Sequence, residues 1–190
     1  QDDNILKYLN DDGTPVEPIY YAPIIPMILV NGSKGIGTGF STDIMSYNPI
    51  QIISYIQSVI NNNQLSDVEF YPYFEGFKGK VEKIKNQKYL VKGVYEIINK
   101  NTIKITELPV GIWTDDYKQY LEKIIDTPKK NKKIIKDYLD MSTDKTIDIT
   151  ISFYGNEMSE LLNKETDNKC NELEKILKLY ITRSETNMHI

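Results

Sequence analysis

Residues 80–106, KVEKIKNQKYLVKGVYEIINKNTIKIT, decide the fold class. Val81, Ile84, Tyr89, Val91, Val94, Ile97, Ile103 and Ile105 alternate with polar residues, and the alternation breaks at Asn86-Gln87 and at residues 99–101. A period of two marks half-buried strands, so the stretch predicts a three-strand antiparallel meander, closed by Glu107-Leu108-Pro109. On the C-terminal side the period changes. Residues 114–125 predict a helix with Thr114 as N-cap and Asp115 and Asp116 in its first turn. Short helices are expected at 134–141, 157–162 and 171–177, and strands at 147–153 and 178–190. On the N-terminal side, residues 70–79 (FYPYFEGFKG) read as an aromatic turn. Residues 49–60 read as a helix with Asn48 as N-cap, Pro49 in first position, Ile52, Ile53, Ile56 and Ile60 on one face, and Asn61 to Asn63 as its stop. Residues 31–40 form a glycine-dense loop. Residues 14–30 carry prolines that forbid a helix interior and predict extended chain, with a strand at 27–30. Asp11-Asp12-Gly13 is a turn, and residues 1–9 read as the end of a helix. The fold class is α+β, an antiparallel sheet with flanking helices.

Composition limits the chemistry. Hydrophobic residues make up 40% and charged residues 26% of the 190, a globular balance. Cys170 and His189 stand alone, which excludes a disulfide framework, a cysteine zinc site and a multi-histidine metal site within the chain. The single cysteine suits a reducing compartment. The richest apolar stretch is broken by Pro23 and Pro26, so no membrane helix is expected, and no secretory leader is visible. The net charge of −4 is unevenly spread: residues 1–77 carry −7, residues 78–136 carry +8 and residues 137–190 carry −5. A basic block between acidic flanks can serve a polyanion partner, but for a charge block alone the favoured reading is a solvated lysine face. All 23 basic residues except Arg183 are lysines, and 28 Ile and 16 Asn accompany them. That pattern is also what an AT-rich genome produces.

The glycine loop, Gly32-Ser33-Lys34-Gly35-Ile36-Gly37-Thr38-Gly39, fails as a phosphate cradle by its spacing. Lys34 precedes Gly35 where a Walker loop ends in Gly-Lys-Ser/Thr, and Gly35, Gly37 and Gly39 are two apart where a dinucleotide fingerprint is G-x-G-x-x-G. Ile36 is the one large apolar side chain among these glycines. It can tuck into its own core, or stand out as a wedge between base pairs in a minor groove. Asp11, Asp12 and Glu17 read as solvated turn acids, and Lys129, Lys130, Lys132 and Lys133 as an unspecific basic loop. Tyr180 lies close to Arg183 but has no acidic cluster to activate it. Residues 178–187 (KLYITRSETN) offer Lys, Arg, hydroxyl and amide groups of the kind that hold phosphates.

Four segments carry a family resemblance: VEPIYYAPIIPMILVNGSKGIGTGFSTDIMSYNP (16–49), FEGFKGKVE (74–82), ITELPVGIWT (105–114) and LYITRSETNM (179–188). In order and over nearly the whole chain, they resemble the breakage–reunion region of type IIA DNA topoisomerases of eukaryotes and large DNA viruses. The resemblance implies that residues 1–30 end a winged-helix domain and that residues 31–190 form a tower domain, with a DNA-bending glycine loop at 31–40. It gives Ile36 the role of an intercalating wedge. It places Asn31, Ser33, Lys34, Gly35, Gly37 and Thr38 near the DNA backbone, and makes Lys178, Thr182, Arg183, Ser184, Thr186 and Asn187 the DNA-contacting strand. It assigns no catalytic residue, metal ligand or cofactor to this chain. The catalytic tyrosine with its arginine, the Mg2+-binding domain and the ATPase domain are expected upstream, and the dimer-completing arm downstream. The implied whole is a homodimer that breaks double-stranded DNA, passes a second duplex and reseals, working inside the cell, in a nucleus or at a viral replication site. The alternative is a stand-alone architectural module that bends DNA without catalysis. Lys34, Phe40 and Met45 depart from the family's commoner acidic residue, tryptophan and proline.

Overall fold

The computed structural model describes residues 3–61, 68–85, 87–126, 133–185 and 187–188. It is an α+β chain whose described strands form four antiparallel sheets. β1 (Tyr8–Asp11) and β2 (Thr14–Pro18) pair across Asp12-Gly13. Tyr8 and Leu9 are therefore in a strand and not at a helix end. The positive φ of Asp12 (46°) and Gly13 (89°) folds the chain back, and Pro15 and Pro18 keep the returning arm extended. The strand expected at 27–30 is instead a single helical turn, α1 (Met27–Asn31). Pro26, at φ −69°, stands just ahead of it, and a ring forbidden in a helix interior is well placed at a helix entrance. The glycine stretch expected as a loop forms a hairpin, β3 (Ser33–Ile36) with β4 (Ser41–Ile44). α2 (Pro49–Ile60) starts as expected: Asn48 Oδ1 accepts from the Ile50 N–H at 2.9 Å.

The expected three-strand meander is four strands divided between two sheets. β5 (Lys80–Lys85) and β6 (Lys88–Lys92) belong to one sheet, β7 (Val94–Asn99) and β8 (Thr102–Glu107) to the other. Gly93 is the crossing point. Its N–H donates to the Leu179 carbonyl at 2.9 Å, and a Cβ there would stand 2.4 Å from the Glu107 oxygen, so no side chain fits. α3 (Thr114–Asp126) has its first turn closed by Tyr117 N–H on the Trp113 carbonyl, one residue ahead of the expected cap. The helix expected at 134–141 is a strand, β9 (Ile135–Asp140), paired along β10 (Ile149–Phe153). Cross-strand pairing here overrides local preference. α4 (Glu157–Leu162) and α5 (Glu172–Ile176) fall where expected, with Asn171 and Glu174 forming a reciprocal capping box on α5. β11 (Tyr180–Ser184) is shorter than the strand expected at 178–190, because Lys178 at φ 51° turns the chain before it.

The sheet β7-β8-β10-β9 covers the larger core. Ile103, Ile105, Ile149 and Ile151 are fully buried against Tyr117 and Leu121 of α3, Met158 of α4 and Leu173 of α5. Tyr117 donates to the Leu177 carbonyl at 2.8 Å, which fixes the chain just before β11. The sheet β11-β6-β5 meets a second cluster of Met45, Tyr47, Ile52 and Tyr89, onto which Leu29, Val30, Phe70 and Val81 pack. This second core carries both the β3–β4 hairpin and the end of β11, which meet each other at its edge.

Candidate nucleic-acid interface

The hairpin pairs Ser33 with Ile44, Lys34 with Asp43, Gly35 with Thr42 and Ile36 with Ser41. Its tip, residues 37–40, is closed by the Gly37 N–H on the Phe40 carbonyl at 2.8 Å. The root is anchored, since Ile44 is buried. The tip is not: Ile36 is 87% and Phe40 85% exposed. Two large apolar side chains therefore stand in water, with no burial in their own fold to account for them. Gly32 sets the angle at which the chain enters the hairpin. Its φ of 68° and ψ of 173° lie in a region open to glycine alone, and a Cβ would meet the Ile44 oxygen at 2.7 Å.

The second segment singled out in the sequence comes to the first. The Asn187 carbonyl accepts the Asp43 N–H at 2.9 Å and the Thr42 hydroxyl at 3.3 Å, and its Nδ2 donates to Ser41 Oγ at 3.2 Å. Arg183 Nη1 lies 3.6 Å from Asp43 Oδ2. The hairpin and the end of β11, some 145 residues apart in sequence, thus form one surface. Asn31, Ser33, Lys34, Gly35, Gly37 and Thr38 are all exposed along the hairpin, and Thr182 is exposed on β11. Strand alternation directs Arg183 toward the hairpin side and Thr182 and Ser184 to the opposite face, at the register of Leu90 and Lys88. Lys178 is not brought to the hairpin: its Nζ sits 3.8 Å from the centroid of the Tyr120 ring, ahead of the strand. Thr186 lies outside the described residues.

The sequence reading gave no site role to five residues that build this surface: Phe40 at the tip, Ser41 and Asp43 on β4, and Tyr47 and Glu185 beneath them. The Tyr47 hydroxyl donates to Glu185 Oε1 at 2.7 Å. Burial and then the Glu185 hydrogen bond push the Tyr47 phenol well above the ordinary tyrosine range, and the same two causes push Tyr89 up to about 12. Both stay protonated donors at any physiological pH. The alternation of ITRSETN, which puts Arg183 and Glu185 on one side, was the available signal for Glu185. An aromatic flanking a glycine tip was the signal for Phe40. The phosphate-cradle alternative has no support in the geometry, because the glycines lead from α1 into a strand and present no helix N-terminus to an anion.

The site is thus an exposed apolar hairpin tip whose root is tied to the end of β11 through Asn187 and Arg183. The whole chain, residues 1–190, matches the A-subunit family of DNA gyrase/topoisomerase IV, and the chain belongs to that family. It is similar to DNA topoisomerase 2 of Pisum sativum, 41% identical over 191 residues, which is 100% of this chain and 12% of that protein. It is similar to DNA topoisomerase 2 of Acanthamoeba polyphaga mimivirus, 50% identical over 124 residues, 65% of this chain and 10% of that protein. The crystal structure of the Plasmodium falciparum topoisomerase II DNA-binding, cleavage and re-ligation domain matches with a TM-score of 0.80 at 41% identity, covering 98% of this chain and 24% of that one. The resemblance read from the four sequence segments holds, and with it the α+β class. The chain spans only about an eighth of the length of its Pisum sativum relative.

Proposed function

We propose that this chain is the DNA-positioning and DNA-bending part of an ATP-dependent type II DNA topoisomerase, with residues 1–30 closing a winged-helix domain and residues 31–190 forming the tower. The observation that carries the reading is Ile36, 87% exposed at the tip of a hairpin whose root is buried and braced. Unstacking one base step costs a few kcal/mol. Burying an isoleucine that now stands in water returns about 2 kcal/mol. The wedge alone therefore roughly breaks even, and contacts with the phosphates of the bent duplex supply the remainder. Lys34, Thr38 and the Gly35 and Gly37 backbone lie beside the wedge to make them, with Arg183 behind. In the homodimeric enzyme two such wedges act on one duplex.

Strand breakage, resealing and ATP hydrolysis belong, on this reading, to other parts of the enzyme, and the work is done on DNA inside the cell. Among the described residues no group of three His, Cys, Asp or Glu side chains is placed to hold a metal ion. Among them, too, no helix is long and apolar enough to cross a membrane. The test is Ile36→Ala in the full-length protein, with bending read by energy transfer across an end-labelled duplex. The bent population should fall about 10- to 30-fold, the equivalent of the lost apolar burial. Unchanged bending removes Ile36 from the mechanism.

A further inference from the structure

We infer that Glu185 is a positioning residue: its anchorage to Tyr47 aims the β3–β4 hairpin at the duplex. The inference rests on the reading of Ile36 as a wedge. An acidic side chain next to a phosphate-facing strand is a cost if it points at DNA. Here it does not. Alternation sends Glu185 to the inner side, where Oε1 accepts from the Tyr47 hydroxyl at 2.7 Å, and its charge also bears on Tyr89. Both tyrosines are 4% exposed and belong to the second core, so the carboxylate is tied to a rigid body. The Glu185 N–H donates to the Gln87 carbonyl at 2.9 Å, which extends the β11–β6 ladder by one step.

Two residues further on comes Asn187, which makes the three bonds to Ser41, Thr42 and Asp43 of the hairpin. A two-residue span reaches at most about 7 Å, so it leaves little slack between anchor and staple. The hairpin needs such a staple. A lone two-stranded ribbon is marginal in water. Its ion pair to β11, Arg183 to Asp43 at 3.6 Å, is long and partly exposed, and is screened by salt. The line from the core to the wedge therefore runs Tyr47, Glu185, Asn187, β4, Ile36.

The test compares Glu185→Ala and Tyr47→Phe with Glu185→Gln, all in the full-length protein. One readout is hydrogen exchange at the Asp43 amide, which needs no DNA. The other is the bent fraction of a labelled duplex. Glu185→Ala and Tyr47→Phe should each speed Asp43 exchange about tenfold and lower the bent fraction, while the Ile151 amide in the larger core keeps its protection. Glu185→Gln keeps an oxygen for the Tyr47 hydroxyl and should restore both readouts. The proposal is overturned if Asp43 exchange is unchanged in the alanine and phenylalanine variants, or if the glutamine variant behaves as the alanine one does. The two readings separate cleanly. If Ile36→Ala leaves bending intact while Glu185→Ala frees Asp43, the wedge fails and the positioning role stands. If Ile36→Ala abolishes bending and Glu185→Ala changes neither readout, the wedge stands and the positioning role fails.

Discussion

Three glycines in the hairpin region should respond to alanine in a fixed order, because the structure charges each a different cost. At Gly32 both costs apply. The backbone, at φ 68° and ψ 173°, lies where a side chain costs about 1–3 kcal/mol. The new Cβ would also stand 2.7 Å from the Ile44 carbonyl oxygen, a backbone atom that cannot swing aside, which adds about 1 kcal/mol or more. At Gly39 only the first applies: φ is 84°, nothing lies within 4 Å, and the cost is about 1–2 kcal/mol. At Gly35 neither applies. The nearest atom is Thr42 Cγ2 at 3.6 Å, an ordinary contact, and alanine is favoured over glycine in a strand interior by about 0.5 kcal/mol or more. The amides of Asp43 and Gly37, both bonded within or onto the hairpin, report its opening by hydrogen exchange. Gly32→Ala should speed their exchange roughly 30- to 1000-fold, Gly39→Ala roughly 5- to 30-fold, and Gly35→Ala not at all. If Gly32→Ala exchanges like the wild type, or if Gly35→Ala is the worst of the three, the hairpin does not enter its root as described.

Two further outcomes concern the body that carries the hairpin. Lys92 Nζ pairs with Glu174 Oε1 at 2.9 Å, and Glu174 is only 6% exposed, so Lys92→Met strands a buried carboxylate and should cost about 3–5 kcal/mol in urea denaturation; a loss below about 1 kcal/mol refutes the pairing. Asp140 is held below the ordinary aspartate value of 3.8, first by its hydrogen bonds from Ser142 and then by Lys118. A carboxyl with a depressed native pKa gives its full stabilisation above the unfolded value, and that contribution is lost as pH falls through the native value. The melting temperature of Asp140→Asn should therefore lie below wild type at neutral pH, and the gap should close as pH falls from the ordinary value of 3.8 through the lower native one; a gap that stays constant as pH falls well below 3.8 rejects the assignment.

What the sequence could show depended on how local each cause is. α2 was legible because Asn48, Pro49 and the spacing of Ile52 and Ile56 all act within a few residues. β10 was legible for the same reason, through strict alternation, and α5 is held by a capping box whose two residues, Asn171 and Glu174, are three apart. The crossing at Gly93 was not, because its necessity comes from the Glu107 carbonyl and from Leu179, both remote in sequence. β9 departs from the expected helix because KDYLD has no decisive period of its own and takes its conformation from the register Asp140–Ile149 to Ile135–Phe153. Pro26 misled in the other direction: a helix breaker by rank is a helix starter by position. At the site, the two segments could be named from the sequence, but not their joining. Nothing in SETN states that Asn187 bonds back to β4 or that Glu185 turns inward to Tyr47.

The same geometry changes the weight given to charge. The block of +8 over residues 78–136 suits a cationic surface, yet several of its lysines are paired with carboxylates of the same fold. Lys83 pairs with Glu69, Lys92 with Glu174, Lys104 with Asp148, and Lys118 with both Asp115 and Asp140. On the hairpin itself Lys34 stands opposite Asp43, and Asp43 also draws on Arg183. The tip is thus close to neutral where a phosphate-grasping loop would be strongly basic. Coulomb attraction, screened within about 8 Å at physiological salt, can bring a duplex near such a surface but cannot choose a step to open. What can is an apolar side chain that lacks burial in its own fold and is mounted stiffly enough to push. Ile36 meets the first condition by exposure, and Gly32, Asn187 and the Tyr47–Glu185 bond meet the second. A wedge on a slack mount would fold back onto the protein before it unstacked a base pair. If Ile36 is the wedge proposed above, the decisive quantity for this surface is the stiffness of the hairpin root, and the net charge around it is secondary.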